Sequence, residues 1–309
     1  MSQRLWAGGL GLNSVRITPS LTVLADLLQF LLSGLTNGAI YALIALGFGI
    51  IYNATTIINF AQGEMVMLGA LSAISFYHLR PSLPLAFVGG VAVVVVIGLV
   101  FERLALSRVK EPTPLTLIII TVGGAVLIKG LAMLYWGKDA YSLPPFTSNV
   151  PLYLGPATIL PQNLWVLGLT AFFVAALEAF FRLTLAGKAM RACAYNTRAA
   201  RLVGIPPGRM VQLSFGLSAG LGAAGGILIA PLTMGMYDMG TMLGLKGFSA
   251  AILGGLGSSL GGVLGGLLLG VAEALASGLI SSGYRDAVAF FILLLVLFLR
   301  PQGLLGGRD

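Results

Sequence analysis

Long apolar segments separated by short polar ones dominate the sequence. A helix of about 20 apolar residues crosses the roughly 30 Å hydrocarbon core of a bilayer. Segments of this kind predict membrane spans at residues 27–52, 60–79, 85–101, 115–136, 164–181, 211–232, 258–281 and 285–299. The expected fold is all-α, a polytopic membrane protein with about eight transmembrane helices and one shorter piece. We expect residues 1–309 to form a single transmembrane domain.

The shorter piece, 247–256, is apolar but only about half as long as a crossing. It leads into the glycine- and serine-rich stretch GGLGSSLGG, and glycine permits backbone conformations that other residues avoid. This pattern predicts a re-entrant half-helix of the kind found in transporters. The alternative is a surface turn between two ordinary helices. On the first interpretation, Gly254, Gly255, Gly257 and Ser258 are candidates for the translocation path.

The composition supports a membrane protein. Hydrophobic residues make up 57% of the chain and charged residues only 9%, and the mean hydropathy is +0.97. Soluble domains carry about 25% charged residues, so this chain cannot cover a water-facing surface, and a soluble enzyme is excluded. The 43 glycines lack a collagen period and favour close helix packing, with small pairs four residues apart at 216/220, 222/226, 262/266 and 266/270.

Positive charges predict which connections face the cytoplasm. The segment 182–210 carries six Lys or Arg residues and no acid, which indicates a cytoplasmic loop. Alternation places the 102–114 loop and the C-terminus on the same side. The 137–163 connection then lies outside, and its five prolines predict an extended loop rather than a helix. Lys246 and Arg285 are assigned to outer loops. The net charge of +8 reflects this bias, and nucleic-acid binding is not expected.

The chain lacks the residues for catalysis or metal binding. One cysteine, Cys193, and one histidine, His78, cannot form a disulfide framework or a Cys/His metal cluster. No Walker nucleotide motif occurs, and GLGAAG at 220–225 lies inside an apolar span, where it favours close helix packing over a dinucleotide site. We therefore expect no catalytic residue, no bound metal and no cofactor. An intramembrane enzyme would need paired acids or a Ser/His pair.

A polar stretch, NATTIINFAQGE at 53–64, interrupts the apolar sequence between 27 and 79. Irregular backbone exposed to lipid is prohibitively costly, so the break is either a loop at the interface or a discontinuous helix that lines a cavity. Asn59, Gln62 and Glu64 are therefore candidates for the translocation path. A structural role for Glu64, as a hydrogen-bond anchor, is the alternative.

Two further charges, Lys129 and Glu273, fall within predicted spans. An unpaired charge in lipid is costly. This cost motivates the hypothesis that Lys129 pairs with Glu64 or with Glu273, although Lys129 is near enough to a helix end to extend its ammonium to the interface.

The basic loop contains a short predicted helix, 197–203, capped by Asn196 and ended by Gly204 and Pro206. Its residues combine two arginines with small and apolar side chains: Arg198, Ala199, Ala200, Arg201, Leu202 and Val203. Such a helix has no core of its own and needs a surface to dock on. A partner subunit and anionic lipid headgroups are both possible.

Three motifs resemble those of branched-chain amino acid ABC transporter permeases of the LivH type. They are NGAIYALIALGFGIIYNATTIINFAQGEMVMLGA (37–70), MRACAYNTRAARLVGI (190–205) and GFSAAILGGLGSSLGGVLGGLLLGVAEAL (247–275). The resemblance covers nearly the whole chain in the same order. NFAQGE at 59–64 favours the amino acid branch of this family over the urea branch, which tends towards NMAHGE.

The resemblance implies a permease subunit of the bacterial inner membrane that lacks an ATPase of its own. It implies a second homologous permease, two cytoplasmic ATP-binding subunits and a periplasmic solute-binding protein as partners. It also implies that Ala199, Ala200, Gly204 and Ile205 lie at the helix that fits the ATPase groove. Where the family often has an acidic pair, this chain has Tyr195 and Asn196. The alternatives are a permease for urea, amides or other small solutes, and a stand-alone secondary transporter or channel.

Overall fold

The computed structural model describes residues 19–109, 113–155 and 157–306, with side chains from residue 25 onward except that of Leu154. Within these ranges the chain forms eleven α-helices and one two-stranded hairpin. Their bounds are α1 Pro19–Thr55, α2 Gln62–Leu79, α3 Leu83–Phe101, α4 Pro114–Trp136, β1 Leu152–Leu154, β2 Ala157–Ile159, α5 Pro161–Leu183, α6 Leu185–Tyr195, α7 Thr197–Leu202, α8 Pro207–Thr233, α9 Met239–Gly254, α10 Ser259–Leu279 and α11 Arg285–Leu299.

The expected all-α membrane architecture is confirmed. Seven helices in the described ranges are long and apolar enough to cross a bilayer: α1, α3 with the π-helical turn that follows it, α4, α5, α8, α10, and α11 with the 3-10 turn before it. The predicted span 60–79 corresponds to α2, an 18-residue helix that is not among these seven. Its first 13 residues are all buried by neighbouring helices.

Helices α1, α2 and α8 form the centre of the bundle, and α3, α4, α5 and α11 expose most of their surface. Glycines allow the central backbones to approach closely. Gly226 of α8 lies against the backbone of Val66 in α2, and Gly266 of α10 lies against Ala42 in α1. A side chain at either position would separate the helices, so these predicted small-residue pairs are packing positions.

Helix α9 is longer than the half-helix predicted at 247–256. It begins at Met239 and has 16 residues, a length of about 24 Å. Gly247 packs on Ile44 of α1, and Gly254 packs on Gly261 of α10. The first half of α9 was not predicted because Gly240, Gly244 and Lys246 lower its apolar character.

The bundle has two distinct ends. At one end, which we call the α7 end, lie α6 and α7. At the other, the hairpin end, lie β1, β2 and the extended segment that precedes them. Tyr141 in this segment forms a β-bridge with Gly235, just after α8. The extended character predicted for 137–163 is therefore observed up to Leu160, and α5 begins at Pro161.

Candidate functional site

The polar break between α1 and α2 is exposed at Asn53 and Thr56 and enters the bundle from Ile57 onward. Thr56 adopts a left-handed conformation, with φ of 57°, and the chain turns back towards the bundle centre. The buried Asn59 side chain accepts a hydrogen bond from the amide of Ala61 over 3.1 Å. The amide of Phe60 donates to the hydroxyl of Thr121 in α4. The backbone between Thr56 and Ala61 is therefore non-helical, and from Ile57 onward it packs against other helices of the protein.

Gln62 is fully buried and hydrogen-bonds to Ser218 of α8, which in turn bonds to α1. Its amide nitrogen donates to the carbonyl of Ser218 in α8 over 2.9 Å. The hydroxyl of Ser218 lies 2.6 Å from the Gln62 amide oxygen and 2.8 Å from the carbonyl of Gly47 in α1. Of the three path candidates in the break, Gln62 therefore holds α2 to α8, and Asn59 makes only a local hydrogen bond within the break.

Glu64 differs from these two residues. It lies in the first turn of α2, where the helix dipole favours an acid, and only 3% of its surface is exposed. One carboxylate oxygen, Oε1, accepts a hydrogen bond from Thr241 over 3.2 Å, and the other, Oε2, has no hydrogen-bond partner. Glycines at 63, 240 and 244 allow α2 and α9 to approach closely enough for this contact.

Lys129 does not form an ion pair with either acid proposed for it. Its Nζ donates to the Thr241 hydroxyl over 3.2 Å, so that Lys129 and Glu64 share one threonine. Among the described residues, no salt bridge joins Lys129 to Glu64 or to Glu273. The pairing hypothesis is thus wrong for Glu273, and for Glu64 the contact is indirect.

A cavity of about 270 Å³ adjoins Glu64, Lys129 and Thr241. Its wall is otherwise apolar and comes from α1, the break, α4 and α9. The apolar residues and glycines that line it are Phe48, Phe60, Gly63, Val122, Ala125, Val126, Gly240, Gly244, Leu245 and Phe248.

The second set of path candidates lies elsewhere. Gly255 and Gly257 have φ of 102° and 91° and form the turn between α9 and α10. The Asn53 side chain donates to the Gly257 carbonyl over 2.8 Å, and Ser258 caps α10 by accepting from the amide of Gly261. Gly254 packs against Gly261. None of these residues lines the cavity beside Glu64.

Glu273 belongs to a buried charge network that joins four helices. Lys246 Nζ of α9 lies 3.1 Å and 3.3 Å from its two carboxylate oxygens. Tyr41 of α1 donates to Glu273 over 2.8 Å, and Arg285 approaches to 3.3 Å. Asp286, half exposed on α11, is 2.7 Å from Lys246.

The network corrects the assignment of Lys246 to an outer loop, because its surface is only 6% exposed. The predicted half-helix, 247–256, began just after Lys246. The apolar residues before it, Met239, Met242, Leu243 and Leu245, are the sequence signal that a helix continues through this lysine.

Helix α7 forms where it was predicted. The Asn196 side chain accepts a hydrogen bond from the amide of Ala199 over 2.9 Å, and Gly204, with φ of 85°, follows the helix. Leu202 is 89% exposed. Ala200 is buried, so it is unavailable to a partner and does not belong to the exposed docking face. The other predicted docking residues are exposed or partly exposed: Arg198, Ala199, Arg201, Gly204 and Ile205.

The 11-residue helix α6, immediately before α7, was not predicted. It is amphipathic, and it buries Gly187, Met190 and Cys193. The spacing of these three residues, three apart along the helix, is the signal that would have indicated it.

In the described part of the chain, no three His, Cys, Asp or Glu side chains lie together as a metal site would require.

Comparison with known proteins identifies the family. Residues 30–297 match the family described as branched-chain amino acid transport system / permease component. The chain is 33% identical over 298 residues to the high-affinity branched-chain amino acid transport system permease protein LivH of Escherichia coli K12, covering 90% of this chain and 95% of LivH. It is also 33% identical over 294 residues to BraD of Pseudomonas aeruginosa PAO1, again covering 90% and 95%.

A solved structure, PsaBC from Streptococcus pneumoniae in complex with Fab, aligns over 91% of this chain and 92% of its own, with a TM-score of 0.45 and 15% identity. The sequence comparisons decide the family, and the motifs at 37–70, 190–205 and 247–275 all lie within the matched residues or at their edge. This chain belongs to the permease components of branched-chain amino acid transport systems, multi-pass membrane subunits of ABC importers that are not themselves catalytic.

Proposed function

We propose that this chain carries branched-chain amino acids across the inner membrane by alternating access, as one of two permease subunits. ABC permeases work with ATP-binding subunits and a solute-binding protein. In our proposal, two cytoplasmic ATPase subunits close on ATP, α7 transmits their motion, and the helix bundle changes the side to which its path opens. A periplasmic binding protein delivers the amino acid.

The exposed apolar surface of α7 is the observation that carries the proposal. Leu202 and Val203 are 89% and 76% exposed, outside the candidate membrane spans, where apolar surface normally needs a partner. Ala200 on the opposite face anchors α7 to the protein, and the amide of Ile205 donates to the carbonyl of Ala200. An anchored helix with an exposed apolar face is suited to transmit force from a bound subunit.

The positive charges support the proposed orientation. The loop 182–210, which includes α6 and α7, holds six Lys or Arg residues and no acid, and we assign it to the cytoplasm. The connection 137–163 then faces the periplasm and offers a surface to the binding protein. In this proposal the chain acts as one transmembrane permease domain.

The path is proposed to follow the break at 56–61 and the cavity beside Glu64. The break ends at the bundle centre, and its non-helical backbone can change its arrangement at a lower cost than a continuous helix can. Phe48, Phe60 and Phe248 give the cavity an apolar wall, which is suited to leucine-like side chains.

Reconstitution tests the proposal. The chain is co-expressed with its neighbouring transporter subunits, and leucine uptake into proteoliposomes is measured with ATP and the binding protein. We expect ATPase subunits to co-purify with the parent chain, and we expect the Leu202→Asp variant to lose both the ATPase subunits and uptake. Leu152→Asp, at an exposed leucine in β1 at the opposite end, is the matched control for assembly and retains the ATPase subunits.

Two results would contradict the proposal. Leucine uptake that persists without ATPase subunits would identify a stand-alone secondary transporter. A cognate binding protein that captures urea or an amide, and does not capture leucine, would assign the chain to another solute.

A further inference from the structure

We propose that the cavity lined by Glu64, Lys129 and Thr241 is a site that binds the zwitterionic head of an amino acid, with Glu64 receiving the ammonium group and Lys129 the carboxylate. The inference rests on the proposed function and deepens it. It adds a step of charge recognition within the permease to the recognition made by the binding protein.

The unused carboxylate oxygen of Glu64 is the first observation. Glu64 is 97% buried, and its Oε2 has no hydrogen-bond partner although Oε1 is bonded to Thr241. A buried ionised group without a full set of partners carries a large desolvation cost. An ammonium group in the cavity would offset that cost through a charge-assisted hydrogen bond.

Lys129 is the second observation. Its ammonium group donates to the Thr241 hydroxyl, which in turn donates to Glu64, so opposite charges lie on either side of one threonine. The Thr241 hydroxyl is hydrogen-bonded to both side chains and lies between them, so Lys129 and Glu64 do not form a direct ion pair. A free amino acid carries an ammonium group and a carboxylate group on the same carbon atom, so it can present one charge to Glu64 and the other to Lys129.

The rest of the cavity favours an apolar side chain on the ligand. Phe48, Phe60 and Phe248 lie along the wall, and the exposed Val122 and Val126 of α4 form its outer edge. The volume of about 270 Å³ is slightly below the roughly 300 Å³ at which pockets for drug-sized ligands begin. The charge pair and the wall together fit a small apolar amino acid better than a metal ion or an uncharged sugar.

A labelling experiment on the assembled transporter tests the inference directly. In a Cys193→Ser background, Ala125→Cys introduces a thiol in the cavity wall, and its rate of reaction with a maleimide is measured by mass spectrometry. The probes are L-leucine, 4-methylpentanoate, which lacks the amine, and 3-methylbutylamine, which lacks the carboxylate. We expect saturating leucine to slow labelling at least threefold and the two analogues to leave it unchanged.

Two charge variants complete the test. Glu64→Gln keeps the size of the side chain and the Thr241 contact but removes the charge, and Lys129→Met removes the ammonium group. Each should abolish protection by leucine and lower leucine uptake about tenfold. Glu178→Gln is the matched control, because it makes the same chemical change at an exposed acid outside the cavity, and protection is expected to persist.

Several outcomes would overturn the inference. These are the absence of protection by leucine, equal protection by either analogue, and protection that survives Glu64→Gln. Protection by the amine alone would make the cavity a cation site. Leucine-induced thermal stabilisation, compared between parent and Glu64→Gln, decides the case in which the introduced thiol does not react. Loss of ATP-driven uptake with protection intact would count against the proposed function and leave the site standing.

Discussion

Lys246 of α9 and Glu273 of α10 form an ion pair in the interior of the helix bundle, with Nζ 3.1 Å from the nearer carboxylate oxygen. Both side chains are almost fully buried, and Tyr41 and Arg285 also bind Glu273. The pair joins two antiparallel helices on either side of the glycine turn at 255–257. Removing either residue leaves the charge of the other buried without its main ion-pair partner.

The Lys246→Met variant is therefore expected to be strongly destabilised. Breaking a buried pair by removing one partner costs about 3–5 kcal/mol, and Arg285, which remains, should keep the loss near the lower figure. Thermal unfolding in detergent measures the change. Lys138→Met, at an exposed lysine in the hairpin-end segment, is the control and should unfold like the parent. An unchanged unfolding temperature in Lys246→Met would show that the pair contributes nothing.

Close packing of α2 and α8 predicts a second effect. A methyl group added at Gly226 would overlap the backbone carbonyl of Val66, which cannot move independently of its helix. We expect Gly226→Ala to cost about 1–3 kcal/mol, as overpacking does. Gly168→Ala, in α5, meets open space and should be neutral or stabilising by about 0.5–1 kcal/mol. The two variants compared by thermal unfolding test the contact, and equal stability would contradict it.

The cap at Asn196 should govern the local stability of α7. Asn196→Ala removes the hydrogen bond to the Ala199 amide, a loss of about 1 kcal/mol. Amides in α7 should then exchange with deuterium about fivefold faster, the factor that corresponds to this energy. Asn196→Ser, which retains a capping oxygen, should exchange nearly as the parent does. Similar amide exchange rates in all three proteins would mean that the cap does not stabilise α7.

The single cysteine offers a test of burial at α6. Burial raises the pKa of the Cys193 thiol, so less of the reactive thiolate is present near neutral pH. Labelling by a maleimide should be slow at pH 7.5 and should rise with pH only at more alkaline values than for an exposed thiol. Ala194→Cys in a Cys193→Ser background supplies that exposed thiol on the next residue. Equal labelling rates at pH 7.5 in the native proteins would contradict the burial.

Local rules account for what was predicted well. Span positions follow from runs of apolar residues, and the α7 cap follows from Asn196, a bond that reaches only three residues along the chain. The extended connection near 137–160 follows from its prolines. These features depend on neighbours within a few residues, so the sequence displays them directly.

The sequence by itself determined that this is a membrane protein, because a chain with so few charged residues and so many apolar ones cannot expose its surface to water. The motifs in the sequence specify the permease family. Only the tertiary structure decided that Gln62 binds Ser218, that Lys246 lies in the interior, and that Glu64 and Lys129 meet at Thr241. The residues in these contacts are 27 to 177 positions apart. Whether such residues meet depends on how the helices pack, and helix packing is set by the sum of many contacts that no short segment of the chain contains.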